Sequence, residues 1–468
     1  MARIVLWMDE VPPPEAFEPQ PDERAGGDRL RRRLQVALIL LLVTALVVLA
    51  AVEGSGLIIR GEGNSRVTPR LAVVNAAGAL TWIDPQGRSP VSLSQPGVVF
   101  QFPAWSPDGT QIAAIGTGSE GAGVYVVRAR APSDSPGEPT VIYTSADRSP
   151  FYLYWTPDGR QLSFLTTEPD GLALRIAPAD GSGSAYVAWA GAPMYWDFVD
   201  PERMLVHSGP SGPDGFFGEV GLDGSPFAGT DRSAGVFRAP TVSVDGRHRA
   251  YFASADGAVG EVVRESRDGT GTTRIRVFGT GAVAFSPTGG ELAFVAPDRL
   301  TSNAPPLPVG PLRLLDPGAS EPRTLVGGSV VGFFWSPTGR EIAVLSLAPR
   351  DDDVTEALGS GGGGRGGVEL ARAVRETAAG LPLLLSFVAI ADGAIRSERV
   401  VRLSDLFINQ VLPFFDQYAL SHRFWSPDGT SIVLPIVGAG DVTELVVIPA
   451  SGSATLTVAV AEMGSWSP

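Results

Sequence analysis

This sequence offers little material for chemistry. It has three histidines, His207, His248 and His422, and their spacing makes none of them part of a metal-binding pair. Cysteine is absent, which removes thiolate nucleophiles, disulfides, zinc–thiolate centres and a lipoprotein anchor together. No Gly-x-Ser-x-Gly nucleophile elbow occurs. An enzyme built from this chain would depend on scattered carboxylates, and no clustered acid–base pair is visible. Asp351-Asp352-Asp353 with Glu356 lacks the alternating Asp-x-Asp spacing of a calcium loop and reads as a solvated acidic run. The glycine tract from Gly361 to Gly367 lacks the Gly-Lys-Ser/Thr ending of a phosphate loop and reads as a linker. The reading is therefore not an enzyme, with no catalytic residues, no metal and no cofactor.

One stretch stands out for recognition rather than catalysis. Between Leu406 and Trp425 lie Phe407, Leu412, Phe414, Phe415, Tyr418 and His422. Aromatic residues at this density are enriched at the centres of interfaces. Two readings stand side by side. In one, the segment is a plug that caps a hydrophobic interior. In the other, Phe407, Phe414, Phe415, Tyr418 and His422 form a partner-binding surface.

The elements that must position this stretch follow from a repeat. Trp105-Ser106-Pro107-Asp108-Gly109 recurs as Trp155-Thr156-Pro157-Asp158-Gly159 and Trp425-Ser426-Pro427-Asp428-Gly429. Looser copies begin at Trp335, Phe285 and Val242, a worn one lies at Phe198-Val199-Asp200-Pro201, and a truncated one ends the chain at Trp466-Ser467-Pro468. Five of the nine Trp occupy this one position. Proline presets the second residue of a tight turn, Asp or Thr suits the third, and Gly takes the left-handed conformation that closes it. Apolar residues at strand spacing flank the phrase, which makes each copy a β-hairpin.

Successive copies are about 43 to 50 residues apart from Trp105 to Trp335, the period of a four-stranded propeller blade. The interval of about 90 residues from Trp335 to Trp425 is read as one blade carrying an insertion over 349–380, because Asp351 to Gly380 has no strand signal. Leu71 to Val74 opens the first blade without a preceding phrase, so Met463 to Trp466 should supply the missing strand from the other end of the chain. The fold class is all-β: a propeller of eight four-stranded blades, or seven if the Phe198 copy is not a blade, closed by both termini. Its domain is 70–468.

The repeated aromatic-Ser-Pro-Asp-Gly turn resembles that of the TolB-type β-propeller family, over Arg70 to Pro468. The resemblance implies the propeller fold and not a function, since such repeats occur in translocation proteins, peptidase propellers and membrane-tethered proteins alike. The chain departs from TolB itself in lacking an amino-terminal α/β domain and in its blade count, so TolB's lipoprotein partner does not carry over.

Residues 1–33 are polar and Pro-rich and are expected to be a disordered cytoplasmic tail. Arg29, Arg31, Arg32 and Arg33 precede an apolar stretch over 34–52, long enough for one transmembrane helix, and arginine is sparse beyond it. This predicts a signal anchor in the cell membrane, a linker over 53–69, and a propeller in the extracytoplasmic cell envelope. The net charge of −14 falls almost wholly on the propeller and argues against nucleic acid as a partner. The expected function is a protein-binding or scaffold module for another envelope protein or an extended polymer. A ligand sensor is the alternative, and a propeller hydrolase the third choice.

Overall fold

The structure is a computed structural model, and it describes residues 69–129, 137–209, 212–227, 232–234, 238–253, 259–279, 281–299, 308–348 and 382–468. The expected tail over 1–33, the membrane helix over 34–52, nearly all of the linker and the insertion over 349–380 lie outside the described residues. Among the described residues no helix is long and apolar enough to cross a membrane.

What is described is nearly all β, in antiparallel four-stranded groups. Sheet one joins Leu71–Val74, Leu80–Ile83 and Val91–Ser92 to the carboxy-terminal strand Met463–Trp466. That pairing runs Leu71↔Trp466 to Val74↔Met463, as the split blade requires. Sheet two holds Val99–Trp105, Gln111–Gly118, Gly121–Arg128 and Thr140–Ser145; sheet three begins at Pro150–Trp155. Sheet four begins at Met194–Asp200, paired with Arg203–Ser208, so the worn copy at Phe198 does form a hairpin. Sheet five begins at Thr241–Val242 and sheet six at Ala282–Phe285.

Sheets six and seven are continuous, because the long strand Arg323–Trp335 ends one and starts the other. Within sheet seven, Leu347 pairs with Leu383, so the interval of about 90 residues interrupts two neighbouring strands of one hairpin. Sheet eight has three strands, Ser431–Val437, Thr443–Pro449 and Leu456–Val460, with Trp425 bridged to Ile432 where a fourth would begin. Each group packs on the next, sheet three on sheet four through the Tyr152 and Trp196 side chains, and the eighth packs on the first.

The turns explain the phrase atom by atom. Ser106 Oγ donates to Asp108 Oδ1 at 2.6 Å and accepts the Gln111 N–H at 3.0 Å. The Thr156–Asp158, Ser243–Asp245 and Ser426–Asp428 pairs repeat this bond at 2.7, 2.6 and 2.6 Å. Gly109 sits at φ +68°, and a Cβ there would meet the Pro468 ring at 3.0 Å, so both conformation and close approach require glycine.

The repeated tryptophans join neighbouring sheets. Trp105 Nε1 donates to Ser465 O at 2.8 Å, Trp155 to Ala104 O at 3.0 Å, Trp335 to Ala284 O at 3.2 Å and Trp425 to Phe334 O at 3.0 Å. Each acceptor is the residue just before the repeat aromatic of the preceding sheet. Closure adds Arg70, which donates to Ala129 O and Gly109 O at 2.9 and 2.8 Å while lying over the Trp82 and Trp105 rings. Its amide donates to Ser467 Oγ at 3.0 Å. The start of the described chain is therefore seated at the turn end of the sheets.

Candidate functional site

After the last strand of sheet seven the chain leaves the β pattern. Phe407–Val411 forms one π-helical turn, Leu412–Phe414 a 3-10 turn, and Phe415–Ser421 an α-helix, α1. None of these starts with a side-chain cap, and α1 is only seven residues long. Helices this short are unstable alone, so packing holds this one. It packs against the first strands of sheets three, four and six and against Arg323–Trp335, strands from well-separated parts of the succession of sheets.

Four of the five residues expected to bind a partner are consumed in that packing. Phe415, 1% exposed, lies 5.2 Å from the Phe333 ring and 6.1 Å from Phe334. Phe407 is buried against Phe424 at 5.6 Å and Phe334 at 6.4 Å. Tyr418 is buried between Tyr152 at 5.3 Å and Phe102 at 5.7 Å. His422 is buried 5.3 Å from Tyr418 and 6.4 Å from Phe102. Only Phe414 keeps substantial surface, at 43%, with the Tyr195 ring of sheet four 6.3 Å away. The expectation of a five-residue binding surface is corrected here, because a side chain buried in the core presents no surface to a partner.

The polar lock of the plug was missed by the sequence reading. Tyr152 Oη donates to Gln417 O at 2.7 Å, and Gln417 Nε2 donates to Tyr152 Oη at 2.9 Å and to Trp196 O at 2.8 Å. The available signal was Asp416-Gln417, a polar pair set inside an aromatic run. Phe102 and Tyr152 hold φ of +52° and +45°, left-handed values unusual for aromatic residues. Strand register shifts at both places, so each is a bulge that re-aims a ring onto the plug. Both stand three residues before the Trp of their repeat.

Burial sets the ionisation of the groups here. Burial pushes the Asp416 carboxyl up to about 6, with the positive Arg238 partly opposing it. Burial pushes His422 down to about 4, so its ring is neutral at pH 7. Asp197 is pushed up to about 7 by burial, although the amides of Val242 and Phe198 both donate to it at 2.8 Å. His207 bonds Arg238 O through Nδ1 at 2.8 Å. Among the described residues no group of three or more His, Asp or Glu is placed to hold a metal ion.

No protein-family model and no curated protein matches the sequence. Solved structures resemble it at low identity. A putative TolB from Agrobacterium tumefaciens is 20% identical over 56% of this chain and 91% of that chain, with a TM-score of 0.34. TolB from Acinetobacter baumannii is 13% identical over 80% and 67%, with a TM-score of 0.36. A prolyl endopeptidase is 10% identical over 79% of this chain and 50% of that one, with a TM-score of 0.49. These likenesses concern the fold and carry nothing about activity.

Proposed function

We propose that the chain is a membrane-tethered, extracytoplasmic propeller of eight blades that binds a protein partner or serves as a scaffold. One observation carries the reading. The place where a propeller would offer a deep central pocket is filled by the chain's own α1, locked through Gln417 and packed with Phe407, Phe415 and Tyr418. Recognition is left to the surface around the plug, where Phe414 is exposed. Binding residues tend to lie on irregular segments held by a rigid scaffold, and this segment is held by the first strands of several sheets. The partner is another envelope protein or an extended polymer, docking on the plug side. Arg70, the second of the described residues, bonds Gly109 O on the turn-bearing side, which supports a partner surface on the other side of the sheets.

The test is a photo-crosslinking amino acid placed at Phe414, with the same group at Asp108 on the turn side, in native membranes. The reading expects an adduct from the Phe414 position alone. Adducts from neither position, or from Asp108 alone, would falsify it. The tether has its own test: protease added outside spheroplasts should release the propeller and spare the tail, and a protected propeller reverses the orientation.

A further inference from the structure

An outer strand is where another chain can extend a sheet, because one side of its backbone has no partner. Among the described residues every outer strand but one is guarded. In sheet one the outer strand is only Val91–Ser92. The outer strands of sheets two, three, four, six, seven and eight each shift register against their neighbour, which bends the edge. Turns of adjoining sheets lie against some of these edges as well. A Cβ at Gly224 of sheet four would come 2.2 Å from Ala188 O of sheet three, and one at Gly87 of sheet one 2.4 Å from Val458 O of sheet eight. Ser397 of sheet seven donates to Ala450 O of the sheet-eight turn at 2.9 Å.

Sheet five is different. Its outer strand Thr272–Phe278 pairs with Val259–Ser266 from Glu265↔Thr272 to Val259↔Phe278 without a register shift. In the corresponding turn of sheet six, a Cβ at Gly318 would meet nothing within 4 Å. That turn packs into the core between sheets five and six through Ala319 and leaves the edge open. Ser266 N–H donates to Gly271 O at 2.8 Å, and antiparallel alternation from there turns the backbone of Thr273, Ile275 and Val277 inward. The N–H and C=O groups of Arg274 and Arg276 therefore point outward, and among the described residues they meet no backbone partner.

Side chains decide what can be added. Ile275 and Val277 are buried, whereas Arg274 and Arg276 are exposed. Arg274 pairs with Glu261 at 2.8 Å, so these three groups leave one positive charge at the edge of a chain whose net charge is −14.

We propose that the outer edge of Thr272–Phe278 accepts an extended acidic segment of a partner protein as an added antiparallel strand. Backbone bonds to Arg274 and Arg276 hold the segment, and its carboxylates opposite the two arginines select it. A second copy is disfavoured, since antiparallel self-pairing sets arginine against arginine. This surface lies at the outer rim and does not rest on the Phe414 reading.

Fluorescence anisotropy of dye-bearing peptides as long as the strand, titrated with the full chain, tests this. One peptide alternates Val and Glu, a second alternates Val and Lys, and a third is the Val–Glu peptide N-methylated at each Glu amide. The Val–Glu peptide should bind. The Val–Lys peptide should bind about tenfold more weakly, because like charges then face each other. The methylated peptide should lose about tenfold too, since a Glu opposite an arginine points its N–H into the edge. Arg276→Glu should weaken the Val–Glu peptide about fivefold or more. Arg396→Glu, on the outer strand of sheet seven, should change nothing. Equal binding of the Glu and Lys peptides, undiminished binding of the methylated one, no effect of Arg276→Glu, or no binding of the Val–Glu peptide overturns the proposal. Dimerisation of the unaltered chain that Arg276→Pro abolishes would give the edge to a second copy and overturn it as well. If Arg276→Glu fails to fold, the peptide comparison on the wild-type chain still decides.

Discussion

Two sectors of this molecule solve the same joining problem with different chemistry. Between sheets one and two, two and three, six and seven, and seven and eight, the repeat tryptophan donates its indole N–H to a carbonyl of the sheet before it. Between sheets three and six the repeat position holds Phe198, Val242 and Phe285, none of which has an N–H to give. At the joint of sheets four and five the bonds go to side-chain carboxylates. Asp197, at the position whose carbonyl accepts the indole elsewhere, takes the Val242 amide on its side chain. Further out, buried Glu219 of sheet four receives Arg267 of sheet five at 2.6 and 2.7 Å, and Arg249 bonds Glu265 at 2.5 Å. A neutral bond from a large aromatic works through packing plus one modest hydrogen bond. A buried ion network gives geometric definition at a high desolvation cost, and breaking one partner exposes that cost. The closing joint depends on the chain's two ends and on Arg70, and is the most exposed to damage of all.

The comparison yields predictions in falling order of effect. Deleting Met463–Pro468 removes the partner of Leu71–Val74, the acceptor of Trp105 and the Ser467 contact of Arg70 together. The truncated chain should show no cooperative melting transition, and a midpoint within a degree of wild type would refute closure by both termini. Glu219→Ala should cost about 3–5 kcal/mol in denaturant unfolding, because it strands buried arginine charge. If it costs less than Trp155→Phe, the carboxylate sector is not held by its ions. Trp155→Phe itself should cost about 1–2 kcal/mol, the loss of one buried bond plus some packing. That substitution turns a latched joint into the kind Phe285 already makes.

A further effect, seen only as pH is varied, comes from the same carboxylate sector. The folded pKa of Asp197, about 7, lies above the ordinary carboxylate value of 3.8. The folded state then binds the proton more tightly than the unfolded state between those values. Its contribution is present at low pH and is lost as pH rises from about 4 towards 7. Asp197→Asn should flatten this decline, which a pKa raised by about three units makes about 4 kcal/mol in all, whatever its effect on stability at a single pH. An unchanged slope of stability against pH would show that the carboxylate titrates normally.

How much of this was legible in the sequence depended on which contacts were local. The Ser-Pro-Asp-Gly turns close within five residues, so Trp105 to Gly109 announces its hairpin outright. The split first sheet followed from a missing phrase before Leu71 and a surplus one at Trp466. The fate of Phe407 to His422 was not legible, because it depends on Phe102, Tyr152, Trp196 and Phe334, residues up to hundreds of positions away. Aromatic density says that a segment is sticky; only packing decides whether it sticks to its own core or to a partner. The left-handed bulges at Phe102 and Tyr152 and the lock at Gln417 are set by tertiary contacts of this kind.

The central claim is that the chain's own segment fills the middle of the molecule and leaves Phe414 outside. The absence of cysteine makes a single introduced thiol a clean reporter. Phe414→Cys, Ala419→Cys and Val411→Cys would each be exposed to a maleimide under native conditions, Ala419 being exposed and Val411 fully buried in the fold. Phe414→Cys and Ala419→Cys should label at the rate of a free thiol, and Val411→Cys should label only when the protein is unfolded. Equal native labelling of Val411→Cys and Phe414→Cys, in a chain that still melts cooperatively, would contradict the plug and the surface reading built on it.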